Sequence, residues 1–129
     1  MPRLVNIGVG EIIDRLTILA LKILYAGQAS KPPDHFEQER NALLTQLRGR
    51  TTMNGLWFEH ALTLGAVNGA LWRAEDKIRE IRSHDPNGGL MEAAGLIGCR
   101  IQDLNDQRAR LVETINKLTG DHLGAEKLT

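Results

Sequence analysis

The stretch LGAVNGALWRAEDKIREIR, Leu64 to Arg82, decides the fold. Leu64, Val67, Leu71, Ala74, Ile78 and Ile81 recur at spacings of three and four, which places them in one stripe of an α-helix. Carried backward, the stripe takes in His60 and Trp57. A second row lies beside it: Asn68, Trp72, Glu75 and Arg79, at i, i+4, i+7 and i+11. A polar row along an apolar seam is either solvated or a network that faces other helices. The second reading predicts partners for it on neighbouring segments.

Outward from this helix, glycines and prolines mark the other elements. The central helix is expected from about Leu56 to Arg82, closed by SHDPNGG at Ser83–Gly89, the clearest breaker in the chain. Ahead of it, GQASKPPD at Gly27–Asp34 is a loop, because two adjacent prolines forbid a continuing helix. A first helix is expected from Gly8–Gly10 to about Tyr25, capped by Asn6 or Gly8, with Glu11 in its first turn and Gly27 as its stop. Its apolar line, Ile12, Leu16, Leu19 and Ile23, is widened by Ile13, Ala20 and Leu24, so it should be buried on more than one side. A second, mostly polar helix, about His35 to Arg48 with Asp34 as cap, turns Phe36, Leu43, Leu44 and Leu47 inward. A fourth helix, about Leu90 to Leu118, carries Ile97, Ile101, Leu104, Arg108, Leu111, Ile115 and Leu118 on one line and stops at Gly120. The polar tail DHLGAEKLT is expected to be mobile.

No strand-type alternation competes with these patterns. The predicted fold is all-α: a single domain, 1–129, forming an antiparallel bundle of about four helices with helices 3 and 4 long. Long helices on so short a chain bury little unless paired, so a homodimer is expected.

Bulk composition narrows the function classes. Sixteen basic and sixteen acidic residues cancel, leaving no electrostatic case for nucleic acid or an anionic membrane. A single cysteine, Cys99, excludes an internal disulfide and fits a reducing compartment. Asp14, Arg15 and Lys22 interrupt the apolar N-terminal run, so it reads neither as a secretory leader nor as a membrane span, and the cytoplasm is the expected location. His35, His60, His84 and His122 form no i, i+3 or i, i+4 pair, and no Glu-x-x-His occurs, so no metal or cofactor is implied. Gly8 and Gly10 lack the lysine and the preceding strand of a phosphate loop. Cys99 is expected as an inert core thiol, and Trp57 and Trp72 as core anchors.

The polar candidates converge if the helices pack side by side. The first helix offers Glu11, Asp14 and Lys22, the third Asn68, Trp72, Glu75 and Arg79, the fourth Asn105, Arg108 and Asn116. Asparagine is a mediocre helix former, so Asn68, Asn105 and Asn116 within helices point to side-chain hydrogen bonds. Arg108 falls on an apolar line and needs a counter-charge; Glu75 or Glu11 are the candidates. Fixing helix register is the best-attested use of such a network. The competing use is a site for a small anionic metabolite, with Arg108, Arg79 and Lys22 binding and Glu75 or Glu11 as acid or base. LNDQRARLVETINKL resembles the polar-lined helix of all-helical chorismate mutases, a similarity of residue type.

Three blocks, GEIIDRLTILALKI at Gly10–Ile23, VNGALWRAEDKIR at Val67–Arg79 and NDQRARLVETIN at Asn105–Asn116, together resemble an uncharacterised bacterial family of short proteins. Its pattern runs Gly-Glu-Leu-Ile-Asp-Lys-Ile-Thr-Ile-Leu, then Leu-Trp-x-Ile-Glu-Asp-x-Ile-Arg, then Asn-Asp-x-Arg-Ala, in the same order. GAEK at Gly124–Lys127 is similar to its Glu-Glu-Lys ending. This chain departs at Arg15 for Lys, at Ala74 for Ile, and at GCRIQDL, where the family is more aromatic. The family is linked by gene neighbourhood to surface-polysaccharide glycosyltransferases. The resemblance thus implies an accessory or interaction role near polysaccharide assembly, and it implies no reaction.

Overall fold

The computed structural model describes residues 7–28, 34–51, 55–84 and 91–120. Four helices follow in order: α1 (Val9–Gln28), α2 (Asp34–Leu47), α3 (Leu56–His84) and α4 (Met91–Leu118). No strand occurs among the described residues, and the longest helices, α3 and α4, make the most extensive helix–helix contact. The all-α bundle is the architecture that the three-four periodicity predicts.

The apolar lines set the packing. Ile12, Leu19 and Leu43 pack with Ile7 between α1 and α2. Val9, Ile13, Leu64 and Ile115 meet where α1, α3 and α4 converge. Val67, Leu71 and Leu104 continue the core between α3 and α4. Ile12, Leu64 and Ile115 are wholly buried. Leu64 sits with Ile115 while Leu71 sits with Leu104, so α3 and α4 run antiparallel. Arg50 follows α2 and donates its Nη2 hydrogen to the Ile7 carbonyl at 2.6 Å, which brings the end of α2 to the start of α1.

Two helix ends carry recognisable stops. Gly49 follows α2 with φ of 74° and Gly120 follows α4 with φ of 67°. Both are left-handed conformations that glycine adopts without a Cβ penalty.

Several expectations are corrected. Gly27 does not stop α1, which continues to Gln28, and α3 runs through Ser83 to His84. Asp34 is the first residue of α2, inside the helix. Ala20, Leu24 and Leu44 are exposed and lie off the cluster that α1 and α2 share. Cys99 is exposed as well, since it falls on the face of α4 away from Ile97 and Ile101. Asn6, the prolines at 32 and 33, the turn at 85–89 and the tail from 121 lie outside the described residues.

Candidate functional site

A buried polar cluster forms where α1 faces both long helices. Asp14 sits one position from Ile13 on α1, at the edge of its apolar side, and is 8% exposed. From α4, Arg108 donates Nη2–H to Asp14 Oδ2 at 2.6 Å and Nε–H to Oδ1 at 2.8 Å. From α3, Asn68, 3% exposed, donates its amide to Asp14 Oδ1 at 2.9 Å and to Thr17 Oγ1 at 2.7 Å. The Thr17 hydroxyl in turn donates to the Asp14 carbonyl at 2.7 Å. Three helices thereby spend their polar groups on one carboxylate.

The electrostatics follow from that geometry. The hydrogen bonds that Arg108 donates to Asp14 raise its pKa above the ordinary arginine value; burial opposes this, and the charges of Asp14 and Glu75 add to it. Arg108 keeps 35% of its side chain exposed against 11% for Asp14, so the pair lies at the edge of the interior.

A second polar contact lies about one turn away along α1 and works as a cap. The Gly8 carbonyl accepts the Ile12 N–H at 3.0 Å, making Gly8 the N-cap residue of α1. Glycine has no side chain to satisfy the free N–H groups of the first turn. Asn116 of α4 supplies the acceptor: its Oδ1 takes the Gly10 N–H at 2.7 Å. Its amide donates to the Glu11 carboxylate at 3.2 and 3.3 Å. Asn116 thus does from another helix what Asn or Ser does locally at most N-caps. Close approach makes this possible. A Cβ on Gly10 would stand 2.9 Å from the Val112 carbonyl carbon and 3.0 Å from Val112 Cγ1.

The remaining candidates lie outside these contacts. Trp72 stacks on Tyr25, with centroids 5.1 Å apart and planes 9° from parallel. Arg79 pairs with Asp76 within its own helix. Lys22, Glu75 and Asn105 are exposed. The expected partner of Arg108 is corrected: Asp14 holds it, Glu11 is engaged by Asn116, and Glu75 acts on it only through its charge. α1 runs parallel to α3, from Asp14 beside Asn68 to Tyr25 beside Trp72. Glu75 and Arg79 are exposed, so that part of the α3 row faces solvent. Gly65 and Gly69 on α3 have room for a Cβ, whereas a Cβ on Gly10 would meet the Val112 backbone.

Two participants were not legible as candidates. Thr17 carries one signal, its i+3 spacing from Asp14 on the same face. Gly10 carries none beyond its place ahead of Glu11. Among the described residues no three His, Cys, Asp or Glu side chains gather as a metal site, and no helix is long and apolar enough to cross a membrane. Comparison with known proteins finds no matching family model, no matching curated protein and no matching solved structure.

Proposed function

We propose that the chain is a small cytoplasmic helical interaction module, dimeric in its working form, in which the Asp14–Asn68–Arg108 cluster holds helix register and carries no chemistry. What supports this most is the saturation of Asp14. Its two oxygens accept once from Asn68 and three times from Arg108, which leaves the carboxylate committed to the fold. A general base needs a free lone pair facing a substrate, and an anion site needs cations without a resident carboxylate. Among the described residues large apolar side chains also face solvent: Phe58, Leu62, Met91 and Leu96 are each more than half exposed. A setting near surface-polysaccharide assembly follows from the three-block resemblance.

The experiment is a thermal-shift screen with phosphorylated sugars, nucleotide sugars and dicarboxylates. The interaction reading expects no stabilisation. A ligand that raises the melting temperature of the wild type, but not of Arg108→Met/Asp14→Asn, would replace it with the anion-site reading.

A further inference from the structure

The outer side of α3 carries exposed apolar side chains that the fold does not bury. Glu59, Leu62, Ala66, Ala70 and Arg73 follow one another at spacings of three and four, so they form one stripe. Its centre, Leu62 and Ala66, lies opposite Leu64, Val67 and Leu71, which face the core, while Ala70 at its edge is half-buried and packs against that core. Leu62 is 62% exposed, and Phe58 on its flank is 53% exposed. Glu59 and Arg73 are exposed too, and neither takes part in an ion pair among the described residues.

We propose that this stripe is the contact between two copies of the chain, packed antiparallel about a two-fold axis at Ala66. The proposal rests on the dimeric reading above and names its surface. Three observations select that arrangement. A two-fold contact must be self-complementary. Antiparallel pairing centred on Ala66 sets Glu59 opposite the partner's Arg73, and Arg73 opposite the partner's Glu59. Parallel pairing would oppose like charges at both ends. The same register sets Leu62 level with the partner's Ala70, so a large side chain meets a small one on either side of the axis. Ala66 at the centre lets the helices approach closely, since interaxial distance follows the side chains at the crossing. From Glu59 to Arg73 the contact spans about 21 Å of helix, at 1.5 Å per residue. One helix pair of that length gives a small interface and a reversible, concentration-dependent dimer.

The test is sedimentation velocity on the full chain across a concentration series, with far-ultraviolet circular dichroism as the folding control. Wild type should pass from monomer to dimer as concentration rises. Leu62→Glu should remain monomeric with unchanged helicity, because Leu62 contributes little to the core. Glu59→Arg and Arg73→Glu should each weaken the dimer about tenfold, and the double reversal should restore it. In a Cys99→Ser background, Ala66→Cys should oxidise to a covalent dimer. A wild type that stays monomeric throughout would overturn both the dimeric reading and this surface. A dimer that survives Leu62→Glu, with Ala66→Cys uncrosslinked, would overturn the surface alone.

Discussion

Arg108 and Asp14 stand 94 positions apart in the chain and meet through three hydrogen bonds, Nη2 to Oδ2 at 2.6 Å and Nε to Oδ1 at 2.8 Å and to Oδ2 at 3.1 Å. This pair ties the start of the bundle to its last helix, and Asn68 joins α3 to the same carboxylate. Removing the charge of Asp14 while leaving Arg108 strands a half-buried cation. Asp14→Asn should cost about 2 kcal/mol, less than a fully buried pair because Arg108 keeps solvent contact. Asp14→Asn combined with Arg108→Met should cost less than the sum of the two single changes in urea unfolding. Strict additivity would show that the pair is not coupled. Arg108 has its pKa raised above the ordinary arginine value, chiefly by Asp14. Its contribution is therefore fully present below that ordinary value, and is lost only as pH climbs through the raised one, so neutral and mildly alkaline solutions should leave it unchanged.

Asn116 caps α1 from a distance, and its loss should be felt at the amide it serves. Asn116→Ala leaves the buried Gly10 N–H without its 2.7 Å acceptor and should cost about 1–3 kcal/mol. Hydrogen exchange at Gly10 should accelerate more than at amides in the middle of α1. Asn116→Asp keeps an acceptor but sets a carboxylate against Glu11, which now receives the amide. Its deficit should shrink in acid, once one of the two facing carboxylates takes up a proton. A deficit independent of pH would argue against the contact with Glu11.

Two glycine substitutions should move stability in opposite directions. Gly10→Ala drives a methyl group into the Val112 carbonyl, a backbone atom that cannot rotate away, so α1 and α4 must separate. A loss of about 2–3 kcal/mol is expected, at the overpacking scale. Gly98→Ala meets nothing within 4 Å inside α4, so it should gain about 0.5–1 kcal/mol from helix propensity. Paired melting curves decide this, and equal effects at the two sites would contradict the close α1–α4 approach.

The core and the exposed leucines should separate as cleanly. Leu64 and Ile115 are 0% exposed and share one cluster, so Leu64→Ala or Ile115→Ala should each cost about 2–5 kcal/mol. Leu96 is 70% exposed, and Leu96→Ala should stay within about 0.5 kcal/mol in chemical denaturation. A large loss at Leu96 would mean that it is covered in solution.

Periodicity made the helices readable, because burial on one side leaves a three-four spacing that needs no knowledge of neighbours. Leu64, Val67 and Leu71 on α3, and Leu104 and Ile115 on α4, occupy the interior positions that their spacing predicts. Arg108 on an apolar line announced a buried counter-charge in the same way, and Asp14, Asn68 and Asn116 were recognisable as polar residues at the edge of buried stripes. What spacing cannot carry is height along a partner helix. Glu75, Glu11 and Asp14 were equivalent as charges, and only the axial offset between α1 and α4, set by Gly10 resting on Val112, brings Asp14 level with Arg108. Likewise Glu75 and Arg79 share the azimuth of Asn68, yet they are exposed where Asn68 is buried. A side chain's angle around its own helix is a local property of the chain, whereas its depth depends on which neighbouring helix stands level with it.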